Sequence, residues 1–175
     1  MIKKYQYTTI MIDITLIHPI INHFTIALFT VSVVLDIIAK IFHKERLHYV
    51  AWVNLLLAGA ATILTVISGL IAANTVSHDN QVHNLIQTHQ SIGYFVLGCV
   101  LLLLIWRIVL KGKFPIKASI LYMTIGLISL GFMFTTAYYG GEMVFRHGVA
   151  VKKISKDKKD HNHNEDHHHS HELSK

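Results

Sequence analysis

Four apolar runs decide the architecture before any other feature is considered. Residues 16–42, 49–73, 91–110 and 118–139 are each apolar over a membrane-spanning length, and a bilayer core needs roughly 20 apolar residues per helix. Inside lipid no water is available to backbone N–H and C=O groups. A spanning run must therefore satisfy them within itself, and a helix does so. Composition agrees: 15% of the 175 residues are charged, against about 25% in a soluble domain, and mean hydropathy is +0.44. The four runs use most of the chain and leave no stretch long enough for a sizeable soluble domain. The expected fold is all-α, an integral membrane four-helix bundle. Residues 1–15 form a polar, amphipathic lead-in, residues 16–151 the four-helix domain, and residues 152–175 a Lys- and His-rich tail.

The first run follows a polar start, is too long for a signal h-region and lacks a small-x-small cleavage site, so it reads as a retained helix. Cys99 is the single cysteine and lies mid-span. An internal disulfide is excluded, and a small buried apolar role is the simplest reading of it. The positive residues behind the net charge of +6 are gathered mainly in the tail lysines and around two short loops. No basic surface interleaved with aromatics is present, so nucleic acid is not an expected partner; the lipid bilayer is.

The connections differ in character. HKERL at 43–47 is a short polar turn, and KGKFP at 111–115 is broken by Gly112 and Pro115. Residues 74–90 carry three histidines and no Lys or Arg, with Val82, Leu85 and Ile86 at helical spacing. This predicts a short interfacial helix between spans two and three. The tail ends DHNHNEDHHHSHELSK; it cannot bury enough apolar surface to fold and is expected to be disordered. Lys40, Lys44 and Arg46 flank the first loop and Arg107, Lys111, Lys113 and Lys117 the third, while the second has no positive charge. The positive-inside rule then places loops one and three in the cytoplasm and both termini outside. The lysines at 152–159 pull the other way.

With that threading His18, His23, His78, His83, His89 and His147 fall on one membrane face, and His43 and His48 on the other. Imidazole binds metals and haem iron and exchanges protons near neutral pH. His23 and His89, at the starts of spans one and three, are the leading candidate axial pair for a haem, with His18 and His147 as alternates and Arg146 as an electrostatic partner. Two histidines from facing helices suffice for a haem in a bundle core. The C-x-x-C-H attachment signature is absent, so the haem would be the non-covalent b type. Span one carries a polar stripe, His18, Asn22, Thr25, Phe29, Ser32 and Asp36, with His23 on a neighbouring face. A carboxylate inside a membrane is either paired or functional. Asp36 would pair with Arg107 or Lys40 to fix helix register, or else serve a proton path. The tail histidines His161, His163, His167, His168, His169 and His171, among acidic residues, form a labile candidate site for a transition metal.

His18-Pro19, His23-Phe24, Asp36, Gly69, His89 and the run GGEMVFRHGVAV from Gly140 to Val151 together resemble a bacterial family of four-helix membrane proteins, DUF2231. The resemblance covers about residues 14–151. It implies the bacterial inner membrane and supplies no activity. Some members are joined to c-type cytochrome modules, which implies a redox setting on the outer face and a cytochrome or other redox membrane protein as partner. Three functions stay open: a haem-b-binding or redox-associated subunit, a transition-metal handling protein, and a cofactor-free structural or assembly subunit. No catalytic residue is assigned.

Overall fold

The computed structural model describes residues 14–75, 80–110 and 116–149. They form four helices: α1 (Ile14–Phe42), α2 (Glu45–Thr75), α3 (Asn80–Val109) and α4 (Ile116–Phe145). All four are long and apolar enough to cross a membrane. The large apolar side chains that remain exposed, such as Leu57, Leu64, Ile105 and Ile120, stand on the outside of the bundle, where lipid is their solvent.

Each helix packs on two others. α1 touches α2 and α4, and α3 touches α2 and α4, so α1 and α3 lie on one diagonal and α2 and α4 on the other. The closest pairing is α1 with α2. Small residues explain it: Ala39 of α1 and Ala51 and Ala58 of α2 are buried, and the Ser32 hydroxyl reaches across to donate to the Ala51 carbonyl at 2.9 Å. Lipid offers apolar helices no gain from merely meeting, so close backbone approach between small residues supplies the attraction. The centre of the bundle is an apolar plug of Phe29, Leu55, Val100 and Leu103.

Two helix ends are closed by backbone geometry. Lys44 N–H donates to the Ala39 carbonyl at 3.0 Å, with His43 at φ 54°. At the end of α4, Val149 N–H donates to the Met143 carbonyl and Gly148 N–H to the Val144 carbonyl, with Gly148 at φ 63°. The Gly148 bond is that of an αL cap, with glycine in the left-handed region, and Val149 packs on the apolar cluster of Val82, Ile86 and Met143 beside it. The GGEMVFRHGV run is therefore two further turns of α4 and its stop signal.

One expectation changes. The segment before span three is not a separate short helix, since α3 runs unbroken from Asn80. No glycine or proline interrupts it before Gly93, and Val82 and Ile86 anchor its first turns against Met143 of α4. Residues 150–175, and with them the six tail histidines and the expected disorder, lie outside the described residues, as do residues 1–13 and His78.

Candidate functional site

At the end of the bundle where α1 and α3 begin, His18 and His89 face each other across the diagonal. Their ring centroids are 6.0 Å apart and their planes 81° to one another. Each ring is tethered by the adjacent helix. His18 Nδ1 lies 3.0 Å from the Thr65 carbonyl oxygen and 3.2 Å from the Ser68 hydroxyl of α2. His89 Nδ1 lies 2.9 Å from the Thr136 carbonyl oxygen of α4. A carbonyl only accepts, so Nδ1 carries the proton in both rings, and the neutral ring presents its lone pair at Nε2. Among the described residues neither Nε2 has a hydrogen-bond partner.

Glycines make room for both rings. A Cβ at Gly69 would sit 2.9 Å from His18 Cε1 and 3.1 Å from its Nδ1, and a Cβ at Gly140 would sit 3.4 Å from His89 Cε1. The rings lie against bare backbone. Below them, Thr25 and Thr65 share a 2.7 Å hydrogen bond, which ties α1 to α2 at the floor. The two rings open onto a cavity of about 630 Å³, walled mainly by apolar groups of all four helices, with Asn22, His23 and Gln90 among the polar residues. Ligand pockets run to about 300–1,000 Å³.

The structure brings His18 and His89 together and sets the other candidates apart. His23 lines the same cavity, but its ring is exposed and its Nδ1 donates to the Pro19 carbonyl of its own helix at 2.5 Å. His147 sits exposed on the α4 cap. Arg146 is solvent-facing and reaches Glu142 one turn back at 3.4 Å. Among the described residues no group of three or more His, Cys, Asp and Glu comes together as a metal site.

The opposite end holds a second cross-bundle constellation. Arg107 of α3 is buried against Asp36 of α1 and donates Nη1–H to its Oδ2. Its Nη2 donates to the His48 carbonyl at 2.6 Å. His48 Nδ1 donates to Asp36 Oδ1 at 2.9 Å. The guanidinium also lies over the rings of Trp52 and Tyr122, at 5.6 and 6.0 Å. Lys40 takes no part. Both carboxylate oxygens are thus occupied, and the neighbouring cavity measures only about 10 Å³, about one water.

Several of these residues were not singled out from sequence. His48, Trp52 and Tyr122 look like ordinary interfacial residues in a linear reading. His48 had a signal: the turn at His43 and Lys44 folds α2 back on α1 and brings residue 48 level with residue 36. The glycines that seat the rings had one too, because Thr-x-x-x-Gly occurs at 65–69 and again at 136–140.

A family model described as Predicted membrane protein (DUF2231) matches residues 15–153. No curated protein and no solved structure matches the chain.

Proposed function

This chain belongs to the DUF2231 family of predicted membrane proteins, and we propose that it is a haem-b-binding membrane subunit with His18 and His89 as the axial ligands. The observation that carries this is the pair itself: two imidazoles 6.0 Å apart, each with Nδ1–H on a backbone carbonyl, opening onto one large, mainly apolar cavity. Two metal–nitrogen bonds of about 2 Å and two ring radii of about 1.1 Å put imidazole centroids roughly 6 Å apart across one metal. A ligating histidine usually donates its other N–H to a carbonyl or carboxylate, which fixes tautomer and orientation.

The donor count favours haem over a bare divalent ion. Zn²⁺ or Cu²⁺ needs three or four protein ligands, and the described residues supply no such group. A porphyrin brings four nitrogens and leaves two positions, one on each side, for protein. Asn22, His23 and Gln90 are the polar residues placed to meet its propionates; Arg146 is not on the cavity wall. The positive loops at one end support an orientation with the haem end on the outer side of a bacterial inner membrane. Electrons would pass there to or from a cytochrome or similar redox protein.

The test is a visible spectrum of the full chain purified in detergent, before and after addition of hemin. A low-spin Soret band, with sharp α and β bands on reduction, is expected. A protein that takes up no hemin, or holds it only high-spin, overturns the reading in favour of a cofactor-free subunit. Orientation is read separately with an impermeant maleimide on intact cells in a Cys99→Ala background. Asn80→Cys should label and Lys44→Cys should not; the reverse pattern overturns the topology.

A further inference from the structure

We propose that the bundle is two copies of one helical hairpin, and that the cavity is their shared ligand site on a local two-fold axis, with Gly69 and Gly140 as matched positioning residues. The register is set by the ion pair: Arg107 follows Asp36 by 71 residues. The same step carries His18 to His89, Thr65 to Thr136 and Gly69 to Gly140. The pattern around each histidine repeats, His-x-x-Ile-x-x-Phe at 18–24 and at 89–95. So does the pattern after each charge: Asp36-Ile37 with Lys40, and Arg107-Ile108 with Lys111. Burial repeats in register as well. Phe29 and Val100, Ser32 and Leu103, Ala51 and Tyr122, and Ala58 and Ser129 are all buried.

The contacts locate the axis. In a two-fold arrangement a residue meets its own counterpart only on the axis. His18 meets His89 at one end and Asp36 meets Arg107 at the other. The axis therefore runs the length of the bundle, along the membrane normal. Equal charges on it would repel in the membrane interior. One half carries the acid and the other the base, so the two halves fit each other and not themselves. At the histidine end the counterparts are alike, and anything lying between them meets two equivalent nitrogens. A planar complex with its metal on the axis suits that symmetry.

The seating of the rings stands on geometry alone; the identity of the ligand rests on the haem reading above. Ring NMR of labelled histidine in the hemin-free full chain tests the first. Both rings should show the Nδ1–H tautomer. Gly69→Ala should take His18 out of it and leave His89 unmoved. Gly140→Ala should do the reverse with a smaller shift, because its contact is looser. Gly93→Ala, on the same cavity wall with open space before it, should move neither. Rings unmoved by Gly69→Ala and Gly140→Ala, or both moved by each, overturn the proposal. If Gly69→Ala does not fold, the double variant with His18→Ala should fold like His18→Ala alone; a double that stays unfolded also overturns it. Hemin titration then tests the second. Each glycine variant should lose about 10–100-fold in hemin affinity, the usual effect of disturbing a ligand's supporting contacts. Shifted rings with unchanged hemin affinity would keep the seat and remove the haem.

Discussion

The two ends of this bundle use one plan for different results. At each end a side chain of α1 meets one of α3 across the diagonal, and α2 and α4 supply the groups that hold them. The Asp36–Arg107 end is filled. Its carboxylate oxygens and guanidinium are all engaged, and the space left holds about one water. The His18–His89 end is unfilled. Its Nε2 atoms have no partner among the described residues, and a cavity of about 630 Å³ lies before them. A polar group taken out of water must be paired within the protein. Where the pairing is complete, the cluster fixes packing. Where a ring nitrogen stays accessible at the cavity wall, it remains open to a ligand.

The sharpest break of that contrast is at the open end. His18→Ala and His89→Ala should each abolish the low-spin haem spectrum, while His43→Ala should leave it and His23→Ala, a propionate contact at most, should keep it low-spin at saturating hemin. The visible spectrum of hemin-loaded protein decides, and a spectrum lost in His23→Ala but kept in His18→Ala would move the site to the more exposed histidine.

The closed end answers in stability. Asp36→Asn strands a buried guanidinium and should destabilise the bundle by roughly 3–5 kcal/mol, read by denaturant or thermal unfolding in detergent. Replacing both partners, as Asp36→Asn with Arg107→Met, should recover much of that, since swapping a whole buried pair for apolar groups is often neutral. A full loss from the single change with no recovery in the double would mean that Arg107 matters beyond the pair, through its bond to His48 and its contacts with Trp52 and Tyr122.

The smallest effect is expected from the tail. Truncation after Val151 should leave insertion and unfolding of the bundle unchanged and reduce retention of Ni²⁺ or Zn²⁺ alone. A truncated chain that aggregates would tie the tail to the fold.

Much of this was readable along the chain, for reasons particular residues make plain. Four long apolar runs fix four helices, because lipid leaves a backbone no other way to bond. The stripe from His18 to Asp36 marks the face of α1 that turns inward. Depth along the helix argues for His23 as a ligand and the stripe argues for His18. The structure faces His18 toward His89, because the stripe residues Thr25, Ser32 and Asp36 all bond inward and carry His18 with them. The 71-residue repeat is also present in the letters, faintly, since two membrane hairpins need share only the positions that touch on the axis.

The amino-acid sequence by itself determined the all-α membrane architecture, the number of spans, the presence of charge inside them and the gathering of histidines toward one face. These follow from local chemistry: hydropathy, helical period and the placement of positive loops. Only the tertiary structure decided which histidine faces which, that Asp36 takes both Arg107 and His48, and that glycines 69 and 140 seat the rings. Those depend on the rotation of each helix about its own axis and on which helices share a diagonal. Both are set by the packing of small residues from several helices at once, and no single run of sequence contains that information.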